Sequence, residues 1–190
     1  NNDYFINYGF GYSKYKHTSY GITQELNIFV PQNDSVKINI LNLKNLEAKK
    51  RKLKIVYYIK PVLGEDETIT NGFINIKHEE ISNIVYAKNL SNTEFNELMY
   101  VSSSEKIQSF TGSKKFFIGQ GNLSNPEALK KVSLNNEVQT GENNIIAIEL
   151  EVELEAFETK DISLILGAEE NLLDCKNLSY KYSKIPNCIM

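Results

Sequence analysis

The chain has 190 residues, of which 41% are hydrophobic and 24% are charged, and its formal net charge at pH 7 is −3. This length suits one large domain or a fragment of a longer protein, and the small charge argues against nucleic-acid partners and anionic membranes. No apolar run approaches the ~20 residues of a membrane span and no signal-peptide pattern is visible, so we expect a cytoplasmic protein.

The N-terminal segment "YFINYGFGYSKYKH" is rich in aromatic residues. Tyr8, Tyr12 and Tyr15 would suit an aromatic platform on which sugar rings stack. The same rings would suit a core or an edge strand, and the chain has no Trp. The pattern therefore leaves both interpretations open.

Apolar and polar residues alternate in four later segments. Such alternation predicts antiparallel strands with one face in the core and one in solvent. The segments are "SVKINILNL", "KLKIVYYIK", "NGFINIKH" and "IAIELEVELEAF". In the last of them four glutamates face outward, and we expect lysines on neighbouring strands to pair with this acidic row. With turn-rich stretches between the segments, we predict ten to twelve strands in an all-β antiparallel sandwich.

The stretch "TGSKKFFIGQGN", residues 111–122, has three glycines and two lysines. It lacks the GxxxxGK[ST] spacing of a phosphate-binding loop. The pattern favours a strand over "KKFFIG", and the alternative is a loop that presents backbone amides and polar side chains to a ligand. In that alternative the carbohydrate-contacting residues are Thr111, Gly112, Lys114, Lys115, Gln120 and Asn122.

Helix signals are sparse. "SNPEALKK" is the convincing one, with Ser124 or Asn125 as N-cap and Pro126 at the first helical position. "TEFNELM" fits either a helical turn or the start of a strand. The tail after "LILGAEEN" is polar and weakly patterned, which predicts an unpacked end. We therefore divide the chain into a sandwich domain, 1–170, and a tail or linker to a further domain, 171–190.

Candidate catalytic and metal-binding residues are few. His78 lies on the apolar side of a strand pattern, which favours a structural role over a catalytic one. Cys175 and Cys188 belong to no Cys/His cluster, and we interpret them as free thiols. Neither GxSxG nor HExxH is present. We predict no catalytic residue, no metal site and no cofactor in this chain.

Five motifs, in order, resemble the amino-terminal β-sandwich of glycoside hydrolase family 94. The family includes cellobiose and chitobiose phosphorylases and the phosphorylase-like part of cyclic β-1,2-glucan synthases. The likeness runs from about Tyr8 to Glu170 and implies a supersandwich similar to galactose mutarotase, with one or two short helices. The motifs are "GFGYSKYKHTSYGITQELNIFVPQNDSVKINILNLKN", "RKLKIVYYIKPVLGE", "AKNLSNTEF", "TGSKKFFIGQGNLSNPEALKKVSL" and "ETKDISLILGAEE".

The resemblance also implies where the chemistry takes place. In the family, phosphate attacks the anomeric carbon while a carboxylic acid protonates the leaving oxygen, and that acid belongs to a separate (α/α)₆ barrel. The resemblance makes this chain a non-catalytic sandwich that supports the barrel and contributes to homodimer contacts or to the rim of a cleft for β-glucan oligosaccharides. The chain departs from the family pattern at Ser113-Lys114, at Phe116 and at Gln120, which weakens sugar contact through 111–122. It also has Pro61 where the family pattern has Trp.

Two other functions stay open on the residues alone. One is a stand-alone carbohydrate-binding module, which a row of exposed coplanar tyrosines would favour. The other is an unrelated structural or interaction sandwich. An exposed apolar patch near the C-terminal tail would favour the supporting domain, because a missing partner leaves apolar surface uncovered.

Overall fold

The computed structural model describes residues 3–91, 95–141 and 143–184. The alternating segments form strands, as predicted, and eleven strands lie within the described residues. They are β1 (Phe5–Gly9), β2 (Tyr12–Ser19), β3 (Ile22–Phe29), β4 (Val36–Asn45), β5 (Arg51–Ile59), β6 (Ile74–Glu79), β7 (Ile84–Asn89), β8 (Leu98–Ser103), β9 (Ile107–Ser113), β10 (Asn144–Leu154) and β11 (Thr159–Glu169).

The strands form two antiparallel sheets. The large sheet has eight strands in the order β1-β2-β3-β4-β11-β8-β7-β6, and the small sheet has three in the order β5-β10-β9. The main core lies between them, where Ile148 and Leu150 of β10 meet Ile162 and Leu164 of β11. This two-layered all-β body confirms the predicted fold class.

The helices differ from the prediction in number and place. The described residues contain three α-helices, and a 3₁₀ turn lies at Glu127–Lys130. The strand predicted over "KKFFIG" is wrong, since the Ser113 hydroxyl accepts the Phe116 amide at 3.2 Å and starts a helix there. The α-helices are α1 (Glu67–Thr70), α2 (Lys114–Ile118) and α3 (Leu172–Ser183).

Two other local predictions have mixed outcomes. "SNPEALKK" contains the short 3₁₀ turn, and Pro126 stands before its first residue as the cap. The first two residues of "TEFNELM", 93 and 94, lie outside the described residues. The end of that segment enters β8 at Leu98.

The expectation of an unpacked C-terminal tail is wrong for residues 172–183. They form α3, which the Asn171 side chain caps by accepting the Asp174 amide at 3.0 Å. On the outer face of the large sheet, Cys175 and Tyr182 pack in one buried cluster with Ile38, Tyr100 and Ile165. A domain boundary at 170 would therefore separate α3 from the sheet against which it packs.

The outer face of the small sheet is covered by the segment that contains α2 and the 3₁₀ turn. Phe117, Ala128 and Leu134 pack there against Ile145 and Ala147 of β10. The segment 111–122 is consequently part of a packed layer over most of its length.

Lysines of β5 and the turn before it pair with the acidic row of β10, as predicted. The pairs are Lys50 with Glu153 at 2.7 Å and with Glu155 at 3.0 Å, Lys52 with Glu151 at 2.6 Å and Lys54 with Glu149 at 3.1 Å. Glu149 differs from the other three because it is only 1% exposed. Most of the row is solvated, and one member is part of the interior.

The sandwich is closed along one side and open along the other. Segment 136–141 bridges the free edges of both sheets on the closed side: the Gly112 amide of β9 donates to Glu137 O at 2.7 Å, and the Ile76 amide of β6 donates to Gln139 O at 2.8 Å. On the open side lie β5 and the hairpin formed by β1 and β2. This N-terminal hairpin, residues 5–19, contributes no residue to the three buried clusters of the described chain.

Candidate functional site

The residues predicted at 111–122 do not form one surface. Thr111 and Gly112 are buried inside β9. A side chain at Gly112 would meet Gln139 Cβ at 2.9 Å, so the glycine allows segment 136–141 to approach closely. Lys114 is half-buried, and its amide donates to Asn143 O at 3.0 Å. Thr111 and Gly112 are therefore enclosed within the sandwich, and the backbone of Lys114 is tied to the loop before β10.

The exposed tip of the segment contains Lys115, Gln120 and Asn122. The backbone amide of Gln120 donates to the Glu127 carboxylate at 3.0 Å. This bond is the main reason that the pKa of Glu127 lies below its ordinary value. The Asn122 side chain accepts two backbone amides of the following turn, at 2.9 and 3.1 Å. The Lys115 and Gln120 side chains are therefore the polar groups of the tip that remain for a ligand.

The three tyrosines of the predicted platform lie on both faces of the N-terminal hairpin. Tyr8 and Tyr15 share the inner face, with ring centroids 6.3 Å apart and planes at 90°. Tyr12 lies on the opposite face, where its ring covers Gly9 of the neighbouring strand. The tyrosines are exposed or half-exposed but not coplanar, so the hairpin lacks the flat row of rings on which a glycan chain would stack.

One large cavity of the described residues is a cleft that the sequence did not indicate. It has a volume of about 1190 Å³ and lies where the β6–β7 turn, the β8–β9 turn, segment 136–138 and α3 meet. We call it the polar cleft. Because its lining comes from four separate segments, no local sequence motif predicts the cleft.

Much of the polar lining of the cleft holds the surrounding loops. The Asn83 side chain donates to Glu105 O at 2.9 Å and accepts the Ile107 amide at 2.7 Å. The Asn136 side chain accepts the Phe110 amide at 3.0 Å, and the Ser109 hydroxyl accepts the Leu134 amide at 3.0 Å. These groups are already satisfied, so they shape the cleft more than they recognise a ligand.

His78 is one of the titratable residues that line the cleft. Its ring lies 4.6 Å from that of Phe110. Burial lowers the pKa of His78 below 6.5 even though Glu80 and Glu79 act in the other direction. A neutral, half-buried imidazole against an aromatic ring fits the structural role that the strand pattern favoured.

Glu80 and Glu105 are the carboxylates that line the cleft. Glu105 is bound to Lys160 at 2.9 Å. Inverting phosphorolysis needs one carboxylic acid beside the leaving oxygen, since phosphate takes the place of activated water, and a carboxylate that is bound to a lysine is less free to reach that oxygen. Across the described ranges, no group of three or more His, Cys, Asp or Glu residues could hold a metal ion.

Cys175 lies on the buried face of α3 and is a free thiol. Burial raises its pKa from 9.0 to about 11, so it stays protonated near neutral pH and is a poor nucleophile. Cys188 lies outside the described residues. No described helix combines the length and the apolar character that crossing a membrane requires.

Comparisons with known proteins agree with this geometry. The family model "Glycosyl hydrolase 94, supersandwich domain" matches residues 1–185. The cyclic beta-(1,2)-glucan synthase NdvB of Rhizobium meliloti is 23% identical over 167 residues, which cover 86% of this chain and 6% of the synthase. The chain therefore spans a small part of the length of that relative.

Two solved structures have a similar fold. A polysaccharide lyase superposes with a TM-score of 0.56 and 11% identity, covering 89% of this chain and 23% of the lyase. The heparan sulfate lyase HepC from Pedobacter heparinus gives a TM-score of 0.50 and 12% identity, covering 88% of this chain and 21% of that protein. At such identities the likeness concerns the fold alone.

Proposed function

The chain belongs to the glycosyl hydrolase 94 supersandwich-domain family, and from this premise we propose that it is a non-catalytic domain of a carbohydrate-active enzyme. Its role is to support a separate catalytic (α/α)₆ barrel of the same protein or assembly. The reaction of that assembly is transfer or phosphorolysis of β-glucans, in a cytoplasmic setting. In this proposal α3 belongs to the sandwich domain, and the connection to the barrel begins after it.

The observation that carries the proposal is that these acidic residues form ion pairs with lysines. The β10 glutamates pair with lysines on the outer face of the small sheet, and Glu105 in the polar cleft pairs with Lys160. The oxygens of these carboxylates are already bound by lysines, which supports a role in which the general acid belongs to the barrel. The packed segment 111–122 supports the same conclusion, because most of its polar atoms hold the fold.

The proposal assigns any β-glucan contact by this chain to the exposed tip at 115–122. Lys115 and Gln120 extend from that tip, and they would contribute to the rim of a cleft whose floor belongs to the barrel. A rim contact of two side chains binds a free oligosaccharide weakly, since few atoms are desolvated. Weak binding of free oligosaccharides distinguishes the proposed domain from a stand-alone carbohydrate-binding module.

Titration calorimetry of the purified chain with β-1,2- and β-1,4-gluco-oligosaccharides tests this assignment. We expect no measurable heat with ligand at ~1 mM, the concentration at which binding is worth about 4 kcal/mol. A matched titration of the Lys115→Ala variant should give the same trace. Saturable binding by the wild type at micromolar ligand would contradict the proposal and would favour the binding module.

A further inference from the structure

The turn that follows α1 contains an Asn-Gly sequence, Asn71-Gly72, which occurs once in the chain. An asparagine side chain loses its amide when the backbone nitrogen of the next residue attacks its Cγ. Glycine favours this attack, because it has no Cβ to shield that nitrogen and because its backbone rotates freely. The sequence therefore distinguishes Asn71 from the other asparagines of the chain.

The structure leaves the attacking nitrogen uncovered. The Asn71 amide donates to Glu67 O at 2.9 Å, and the Phe73 amide donates to Thr70 O at 3.0 Å. Between them, the Gly72 amide donates to no backbone carbonyl of the described residues. Gly72 is also exposed, and an ideal Cβ there would meet nothing within 4 Å. The Gly72 nitrogen is therefore accessible, and its backbone has room to turn.

The helix before the turn is too short to resist local opening. Asn71 is the C-cap of α1, which has four residues, and its φ and ψ are −56° and −35°. Attack on Cγ requires ψ of Asn71 to rotate out of this helical range. A helix of one turn is marginal on its own, and elements with few buried contacts open locally at low cost. The folded chain therefore reaches the reactive conformation without global unfolding.

We propose that Asn71 is a site of spontaneous deamidation, and that its isoaspartate product loosens the closed side of the sandwich. The Gly72 nitrogen forms a bond to Asn71 Cγ, the bond from Cγ to Nδ2 breaks, and ammonia leaves with the proton of the Gly72 amide. Water then opens the cyclic imide at either carbonyl. Opening at Cγ gives aspartate, and opening at the main-chain carbonyl gives isoaspartate, whose backbone is longer because it runs through Cβ and Cγ.

Asn71 connects the turn after α1 to the start of β10. Its side-chain oxygen accepts the Asn143 amide at 3.1 Å, and its backbone oxygen accepts the Asn144 side chain at 3.2 Å. The buried Asn144 side chain also donates to Gly141 O, at the end of the segment that closes the sandwich. Aspartate keeps both acceptors in place, whereas the longer backbone of isoaspartate displaces them. This inference does not depend on the proposed function.

Peptide mapping by mass spectrometry of the folded chain, aged in mildly alkaline buffer, tests the proposal. Asn122 is the internal reference, since it lies in a turn and also accepts backbone amides, but Leu123 follows it. We expect Asn71 to deamidate at least about tenfold faster than Asn122, and Gly72→Ala to slow it at least about tenfold. Far-UV circular dichroism confirms that the variant folds. Equal rates at Asn71 and Asn122, or in the wild type and Gly72→Ala, overturn the proposal.

Two further measurements separate the reaction from its consequence. The same mapping in urea measures the unfolded chain, and deamidation of Asn71 that occurs only there overturns the proposal, because the folded turn would then protect the side chain. Aged wild type is also separated by chromatography, and its isoaspartate fraction is identified by isoaspartate-specific methyl labelling. We expect this fraction to unfold at a lower denaturant concentration than fresh protein, and Asn71→Asp to unfold close to fresh protein. An isoaspartate fraction as stable as fresh protein overturns the loosening of the closed side.

Discussion

Lys54 and Glu149 form an ion pair at 3.1 Å in which the carboxylate is buried and the lysine side chain is 28% exposed. Glu149 also accepts a hydrogen bond from the Ser109 hydroxyl at 3.2 Å. Lys54 donates in addition to the carbonyls of Lys131 and Val132, at 3.0 and 2.7 Å. The pair therefore connects the small sheet to the segment that covers its outer face.

Removal of the lysine charge should destabilise the fold. Lys54→Met leaves Glu149 buried without its cation, and breaking a buried pair is strongly unfavourable. Because Lys54 is partly solvated, we expect a loss of about 2 kcal/mol in the free energy of unfolding, measured with denaturant. The matched control Lys52→Met removes the partner of the solvated Glu151 and should change stability little. Equal effects of the two variants would contradict this account of Glu149.

A methyl group at Gly167 should disturb the packing under α3. An ideal Cβ there would lie 2.5 Å from Cε1 of Tyr100, whose fully buried ring has no room to move. We expect Gly167→Ala to lower the free energy of unfolding by about 1–3 kcal/mol. Gly72→Ala is the control, since nothing lies within 4 Å of its Cβ position. A Gly167→Ala variant as stable as this control would show that the Tyr100 ring is not fixed.

Protonation of His78 should destabilise the protein. Its folded-state pKa lies below 6.5 because burial disfavours the imidazolium. The unfolded state then binds the proton more tightly, so the stability contribution of neutral His78 is complete above pH 6.5 and decreases as the pH falls below that value. Unfolding curves at pH 7 and pH 5 should show a smaller decrease for His78→Gln than for the wild type. Lys77→Gln, next to it on the exposed face of β6, should keep the wild-type decrease, and a variant slope equal to the wild type would contradict the burial argument.

Removal of α3 should expose the outer face of the large sheet. The helix buries Cys175 and Tyr182 against Ile38, Tyr100 and Ile165. At about 1.5–3 kcal/mol for each buried apolar side chain, a chain that ends at 170 should lose on the order of 5 kcal/mol, close to the whole stability of many domains. A chain that ends at 184 keeps the helix and should match the full-length protein. If the shorter chain unfolded at the same denaturant midpoint, α3 would be a linker and not part of the core.

The strands were predictable because a strand with one buried face has alternating apolar and polar residues, as in β4 and β10. The short helix α2 was not, since "KKFFI" is too brief to show a helical period. In α3, Cys175, Ser179 and Tyr182 are buried at helical spacing. Cys175 and Ser179 are small or polar, so the sequence shows no apolar stripe along this helix.

The candidate site was predictable only in part. The likeness of five ordered motifs indicated the family, because its pattern extends along most of the chain. The burial of Thr111 and Gly112 depends on segment 136–141, more than twenty residues away, which no local pattern encodes. Likewise, Tyr12 and Tyr15 lie on opposite faces because they are three positions apart in a strand with a period of two. The polar cleft depends on tertiary contacts between four segments.

Incubation of purified residues 1–190 with β-linked glucose disaccharides and inorganic phosphate tests the central claim, that this domain has no catalytic acid of its own. Release of glucose 1-phosphate is followed in a coupled assay. We expect a rate equal to that of the buffer blank at every enzyme concentration and pH. Release that increases in proportion to the concentration of this chain would contradict the account, because the acid would then have to lie within these residues.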